Sequence, residues 1–241
     1  MSQETKNGSI QTLLENFTDS EVDGITARLE QAFKQRVINN NYQRWKEAGI
    51  SKLFFDATLE GYDLTHYEEN SKAYQYIVDY CKNIKNRIED GRGVILIGPV
   101  GIGKTHLTSC IVKEAIRNDI QSKMISSSEL IDFLKACIDD PDLKFQFDCP
   151  LLVVDDFLSD RRTEWSRDRI YNHVIDYRYK NKLGLILTSR LTLKDIQVDF
   201  NSAGNIPLGN TALSRLIDMC DVFAMSGPDY RVLRAKQRMK K

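Results

Sequence analysis

The sequence predicts an α/β fold of three layers, a parallel sheet of five strands with helices on both faces. Three observations predict it. Short apolar runs with almost no polar interruption, such as residues 93–98 and 150–155, read as strands buried on both sides. The segments between them carry apolar residues at helical spacing. Strand and helix alternate from Tyr74 onward, and right-handed crossovers then place helices on both faces of one sheet.

The N-terminal stretch reads differently. Ile10, Leu13, Leu14 and Phe17 mark a short amphipathic helix, interrupted at residues 18–20, where Ser20 and Asp23 resemble a capping box. Ile25, Leu29, Phe33 and Val37 follow at four-residue intervals on a longer helix. Asn39, Asn40 and Asn41 weaken it before Tyr42 and Trp45. Two such helices make little core alone, so their stripes must pack on the main domain or on a partner.

A helix over 72–88 then leads into the strand at 93–98. The next helix runs to about Asn118, with Leu107, Ile111 and Ala115 on one face. Residues 123–126 are a weak strand, 128–137 a helix, and 150–155 a strong buried strand. Ile170, Val174 and Tyr177 give another helix, 183–188 a fourth strand and 221–225 a fifth. The expected division is a helical N-terminal partner-binding region (1–50), a linker (51–72), a core (73–230) and a basic tail (231–241).

Composition sets limits. Lys plus Arg and Asp plus Glu are 34 each, so any nucleic-acid contact must use a local basic surface. With 41% hydrophobic and 28% charged residues the chain can bury a core. No apolar run approaches the ~18 residues of a membrane span, and the N-terminus carries no readable secretory signal. Five scattered cysteines without a C-x-x-C pair, and three distant histidines, argue against zinc. The expectation is a reduced, cytoplasmic protein with no membrane partner.

Gly98, Pro99, Val100, Gly101, Ile102, Gly103, Lys104 and Thr105 fit G-x-x-x-x-G-K-[ST] between a buried strand and an amphipathic helix. Glycines there let backbone N–H groups curl round a phosphate, and the helix offers its positive end to the anion. Lys104 would reach the β- and γ-phosphates and Thr105 would hold Mg²⁺; the expected nucleotide contacts extend to His106. At the end of the 150–155 strand, Asp155 takes the role of ordering Mg²⁺. Asp156 would polarise the attacking water, a place where many such ATPases use the longer Glu. The guanine motif N-K-x-D and the transporter motif L-S-G-G-Q are absent. A small-molecule kinase would fit the loop alone.

Two further features narrow the class. The 183–188 strand ends in Thr188, Ser189 and Arg190, and Arg215 lies on a helix just before the last strand. Here the chain resembles the AAA+ superfamily, in particular the DnaC/IstB-like helicase-loader ATPases, over roughly residues 50–231. The resemblance is carried by residues 54–62, 98–107, 151–156, 174–178, Thr188 with Ser189, residues 214–216 and residues 227–231. It implies a P-loop NTPase core whose fourth strand lies between the two carrying the phosphate-site motifs. It further implies an ATPase, slow and DNA-stimulated, that loads a hexameric replicative DNA helicase onto single-stranded DNA. It implies a γ-phosphate sensor at the Thr188–Arg190 tip; Arg190 replaces the family's usual asparagine, so the sensor function passes to Ser189 or is altered. Arg215 takes the role of an arginine finger reaching a neighbouring subunit, hence self-association; its plain alternative is a surface helix residue. About fifteen residues follow the last strand, so no C-terminal lid domain is expected. Arg231, Arg234, Lys236, Arg238, Lys240 and Lys241, without an acid, can touch phosphates or simply be solvated, and Arg161 and Arg162 are further candidates for a DNA face. A transposition helper binding duplex DNA is the second reading.

Overall fold

The computed structural model describes residues 19–139, 148–159, 163–202 and 208–239. The expected first helix at Ile10–Phe17, together with Arg161, Arg162, Lys240 and Lys241, lies outside the described residues. The chain divides into two compact units, Met1–Arg44 and Trp45–Lys241.

Helix α1 (Asp19–Glu47) contains Ser20 in its body, so Ser20 is not its cap, and it runs through Asn39, Asn40 and Asn41 unbroken. Three asparagines together cost well under what a proline would, about 3 kcal/mol, and Gln35 Nε2 donates to Asn39 Oδ1 one turn on, at 3.0 Å. Ile25, Leu29, Phe33 and Val37 are all exposed.

In the second unit, three short 3₁₀ turns (Lys52–Phe54, Leu64–His66, Glu68–Asn70) precede α2 (Ser71–Lys82) and α3 (Ile84–Glu89). The single helix expected over 72–88 is thus two, parted at Asn83. Then come β1 (Gly93–Ile97), α4 (Lys104–Arg117), β2 (Ser122–Ser126), α5 (Ser127–Asp139) and β3 (Leu151–Asp155). The helix expected around Ile170 comprises α6 (Glu164–Ile170), a π-helical segment (Tyr171–Asp176) and α7 (Tyr177–Lys180). β4 (Gly184–Ser189), α8 (Leu193–Asn201), α9 (Gly209–Met219), β5 (Cys220–Ala224) and α10 (Tyr230–Met239) complete the chain. Helix α8, closed by a Thr192–Asp195 capping box, has no counterpart in the sequence reading. The basic tail is itself largely helix.

All five strands are parallel, in the order β2-β3-β4-β1-β5. The strand expected between the two phosphate-site strands is there: β4 pairs β1 through Val94↔Ile186 and β3 through Val154↔Leu187. Ile95, Leu152, Val154, Leu185 and Leu187 pack under Leu130, Ile170, Val174, Phe200 and Leu216 from α5 to α9. Helices α2, α3 and α4 pack against the sheet as well, bringing Ile77, Leu107 and Ile111 into the core. Arg178, 1% exposed, donates from its guanidinium to Cys149 O, Pro150 O and Gly184 O, which ties α7 to the start of β3 and β4. The strand order is the one that the resemblance to a P-loop NTPase core implies.

Candidate functional site: a phosphate loop and its acidic partner strand

β1 ends at Ile97 and the chain turns at once into α4, a 14-residue helix beginning at Lys104. Two glycines make the turn. Gly101 (φ +80°) and Gly103 (φ +90°) occupy left-handed backbone, and a Cβ on Gly103 would come within 2.6 Å of the Tyr62 ring. The side chain of Lys104 is 6% exposed and folds back along the loop, donating to Gly98 O and Pro99 O at 2.7 Å each. Burial lowers its pKa; the nearby carboxylates of Asp156 and Asp155 oppose that, and Arg190 reinforces it. An incoming phosphate oxygen offers this ammonium a charged acceptor in place of two carbonyls.

Asp155 closes β3 and accepts the Thr105 hydroxyl, whose Oγ1 is 3.0 Å from both carboxylate oxygens. Thr188, from the tip of β4, donates to Asp155 Oδ1 at 2.5 Å and accepts Asp156 N–H at 2.9 Å. Burial raises the pKa of Asp155, against the two threonine hydrogen bonds. Asp156 is exposed and sits at φ +51°, a left-handed conformation that Asp tolerates better than most residues. Hydroxyl and carboxylate are hard oxygen donors, the set that suits Mg²⁺. Among the described residues no group of three His, Cys, Asp or Glu gathers as a separate metal site.

The three residues at the strand tip have different surroundings. Ser189 is fully buried, donates its hydroxyl to Phe157 O at 2.9 Å and accepts Leu191 N–H at 3.1 Å. That hydroxyl is committed to the turn after β4, and the polar contact with the acidic strand comes from Thr188. Arg190 is exposed beyond it.

Arg215 stands on α9. Its Nη1 donates to the Tyr171 hydroxyl and lies 2.6 Å from Asp176 Oδ1, with the guanidinium 5.3 Å from the Tyr171 ring centre and 5.6 Å from that of Tyr179.

A supporting layer escaped the sequence reading. Tyr62 donates to Ile102 O at 3.0 Å, and burial pushes its pKa up to about 12. Asn70 donates to the Tyr62 hydroxyl and to Ser226 O and accepts Ser226 N–H. Tyr230 N–H donates to Gly101 O, and His106 Nε2 lies 2.7 Å from Thr58 O. Residues 54–62 and 227–231, noticed only as stretches, are thus the two straps that hold the phosphate loop from outside. No helix among the described residues is long and apolar enough to cross a membrane.

The sequence profile of the IstB-like ATP binding protein family matches residues 10–239. The chain is 30% identical over 232 residues to a protein named as an ATP-binding protein of an insertion sequence from Mycobacterium tuberculosis, covering 87% of this chain and 88% of that one. To the replicative helicase loader DnaI of Bacillus subtilis it is 23% identical over 180 residues, which is 73% of this chain but 55% of the loader. This chain therefore spans about half the length of that loader. The crystal structure of the DnaC helicase loader superposes with a TM-score of 0.60 at 28% identity, over 73% of this chain and 100% of that one. The phosphate loop, the interposed strand β4 and a match along nearly the whole sequence agree: the chain belongs to the IstB-like ATP-binding protein family.

Proposed function

We propose that the chain is an ATP-hydrolysing loader that delivers a hexameric replicative DNA helicase to single-stranded DNA. The observation that carries its chemistry is the joining of Thr105, Asp155 and Thr188 into one hydrogen-bonded set beside Lys104. Lys104 leaves its two carbonyls for the β- and γ-phosphates, and the backbone N–H groups from Gly101 to His106, at the turn and the start of α4, cradle them. Thr105 and Asp155 would hold Mg²⁺, which would supply positive charge beside the phosphates. Asp156 accepts a proton from water as its oxygen attacks the γ-phosphorus, and the bond to the β-phosphate oxygen breaks to leave ADP and phosphate. Arg215 of one subunit offers charge to the nucleotide of the next, so turnover requires side-by-side assembly.

The exposed stripe of Ile25, Leu29, Phe33 and Val37 supports the partner-holding part of this reading, as a helix that fits an apolar groove. Arg231, Arg234, Lys236 and Arg238 on α10 are exposed and suit contact with a single strand's phosphates. The names of the DnaI and DnaC relatives support helicase loading. A second reading, a transposition helper on duplex DNA, is favoured by one observation: the insertion-sequence protein matches over 88% of its length, DnaI over 55%.

The test uses the full chain, the replicative helicase of its host, circular single-stranded DNA and ATP with Mg²⁺. Loading predicts ATP-dependent transfer of helicase to the circle, lost when residues 1–44 are removed. No helicase capture, together with tighter binding to duplex than to single-stranded DNA, would favour the transposition reading.

A further inference from the structure

Tyr171 and Asp176 are five residues apart. On an α-helix, at about 100° per residue, that spacing points two side chains some 140° away from each other. In a π-helix the hydrogen bond runs i→i+5 and a turn takes about 4.4 residues, so the same two side chains come within about 50° of each other, on one face. The chain adopts π-helix over Tyr171–Asp176, between α6 and α7. The two ends of that segment converge on one atom, Arg215 Nη1, which donates to the Tyr171 hydroxyl and lies 2.6 Å from Asp176 Oδ1. An α-helical path there would send one of the two partners elsewhere.

The surroundings of the guanidinium are those of a held group with an open edge. Its Cζ lies over the rings of Tyr171 and Tyr179, 5.3 and 5.6 Å from their centres. Asp176 is shared, with Oδ2 2.8 Å from Lys180 Nζ, so its charge is balanced from the far side. The side chains of Arg215 and Asp176 are 22% and 15% exposed, so the pair is largely shielded from water. Among the described residues, Nε and Nη2 of Arg215 donate no hydrogen bond. A purely structural arginine would spend its donors as Arg178 does, on three carbonyls. Here one nitrogen is anchored and the rest of the fork is kept for something else.

We infer that Tyr171 and Asp176 are positioning residues for Arg215, and that the π-helical turn exists to bring both to the face that meets α9. The inference rests on the reading of Arg215 as a finger for the neighbouring subunit's nucleotide. Catalytic groups act only when held near their productive geometry, and a small displacement is costly. An anchored Nη1 fixes the orientation of the guanidinium and so the directions of Nη2 and Nε.

The test separates positioning from general stability by asking which subunit carries the substitution. Two inactive chains are mixed. The acceptor has an intact phosphate loop and Arg215→Ala, and the donor has Lys104→Ala and an intact Arg215. Asp176→Asn is placed in the donor in one mixture and in the acceptor in another. In the donor it lowers the restored ATP turnover by about 10²-fold with KM for ATP unchanged; in the acceptor, whose finger is gone, the same loss does not appear. Tyr171→Phe, which keeps the ring in the core, shows the same asymmetry with a smaller loss, and covers the case in which Asp176→Asn fails to fold. Equal effects in donor and acceptor, or none in either, overturn the inference. No restored turnover even in the unsubstituted mixture, once mixed oligomers are demonstrated, overturns the finger reading and the inference with it.

Discussion

Thr188 holds Asp155 and the backbone of Asp156 at the same time, donating to Asp155 Oδ1 at 2.5 Å and accepting Asp156 N–H at 2.9 Å. The tip of β4 and the acidic end of β3 are therefore one unit, and the left-handed turn at Asp156 (φ +51°) is fastened where it departs from the strand. Thr188 is fully buried, so its hydroxyl has no water to replace it. Thr188→Val keeps the shape and deletes the hydroxyl. It leaves the part-buried Asp156 N–H and Asp155 Oδ1 without this partner, at a cost of about 1 kcal/mol, and frees the Asp156 turn. The expected result is a lower denaturation midpoint and slower ATP hydrolysis with ATP affinity largely kept; unchanged turnover would show that Thr188 only packs.

Lys104→Ala tests the phosphate loop itself. The chain spends this ammonium on Gly98 O and Pro99 O, and under the proposed function a bound nucleotide would take it for its phosphates. A hydrogen bond to a charged group is worth about 1.5–3 kcal/mol, so ATP affinity falls by at least about ten-fold while circular dichroism still reports a folded sheet. Calorimetric titration checks this, and a wild-type affinity would remove Lys104 from the site.

Much of this was legible in the sequence because the relevant forces are local there. Val94, Ile95, Leu96 and Leu151–Val154 read as strands since a parallel sheet buried on both faces admits almost nothing but apolar residues. The phosphate loop read as a loop because Gly101 and Gly103 adopt backbone that other residues resist. What the sequence hid depends on contacts far apart in the chain. Ser189 looked like the polar tip, yet only the fold shows that its hydroxyl is taken by Phe157 and that Thr188 faces Asp155. Tyr62, Asn70 and Ser226 join across 156 residues of chain, with no local pattern to mark them. The π-helical turn is equally silent, since its spacing has meaning only once Arg215 is opposite.

His106 gives a pH-dependent prediction. Burial lowers its pKa from the ordinary 6.5, Thr58 O opposes the shift and Lys113 adds to it. Between 6.5 and the lower folded-state value the unfolded chain binds more protons than the folded one. This group's contribution is therefore complete above 6.5 and is lost as pH falls through that window. His106→Phe removes the titration, so the slope of unfolding free energy against pH below 6.5 becomes shallower than in the parent chain. Equal slopes in the two proteins would show that His106 titrates as it does in the unfolded chain.

The proposed strand contact on α10 has a signature in salt. Replacing Arg234, Lys236 and Arg238 together by Ala keeps good helix formers and removes three exposed cations. If each meets a phosphate, binding to an oligo(dT) single strand weakens and the log–log salt slope drops by about 0.7 per contact. An unchanged slope would leave α10 as a solvated end and move any strand contact to the core.

A catalytic site shared between subunits joins the phosphate loop of one chain to Arg215 of the next. ATP turnover per chain, measured on the unmodified protein with oligo(dT) present from dilute to concentrated solution, reads this sharing. Turnover per chain is expected to rise steeply with concentration to a plateau, in step with self-association followed by light scattering, while dilute chains still bind ATP. Turnover per chain that stays constant down to concentrations where the protein is monomeric would contradict it.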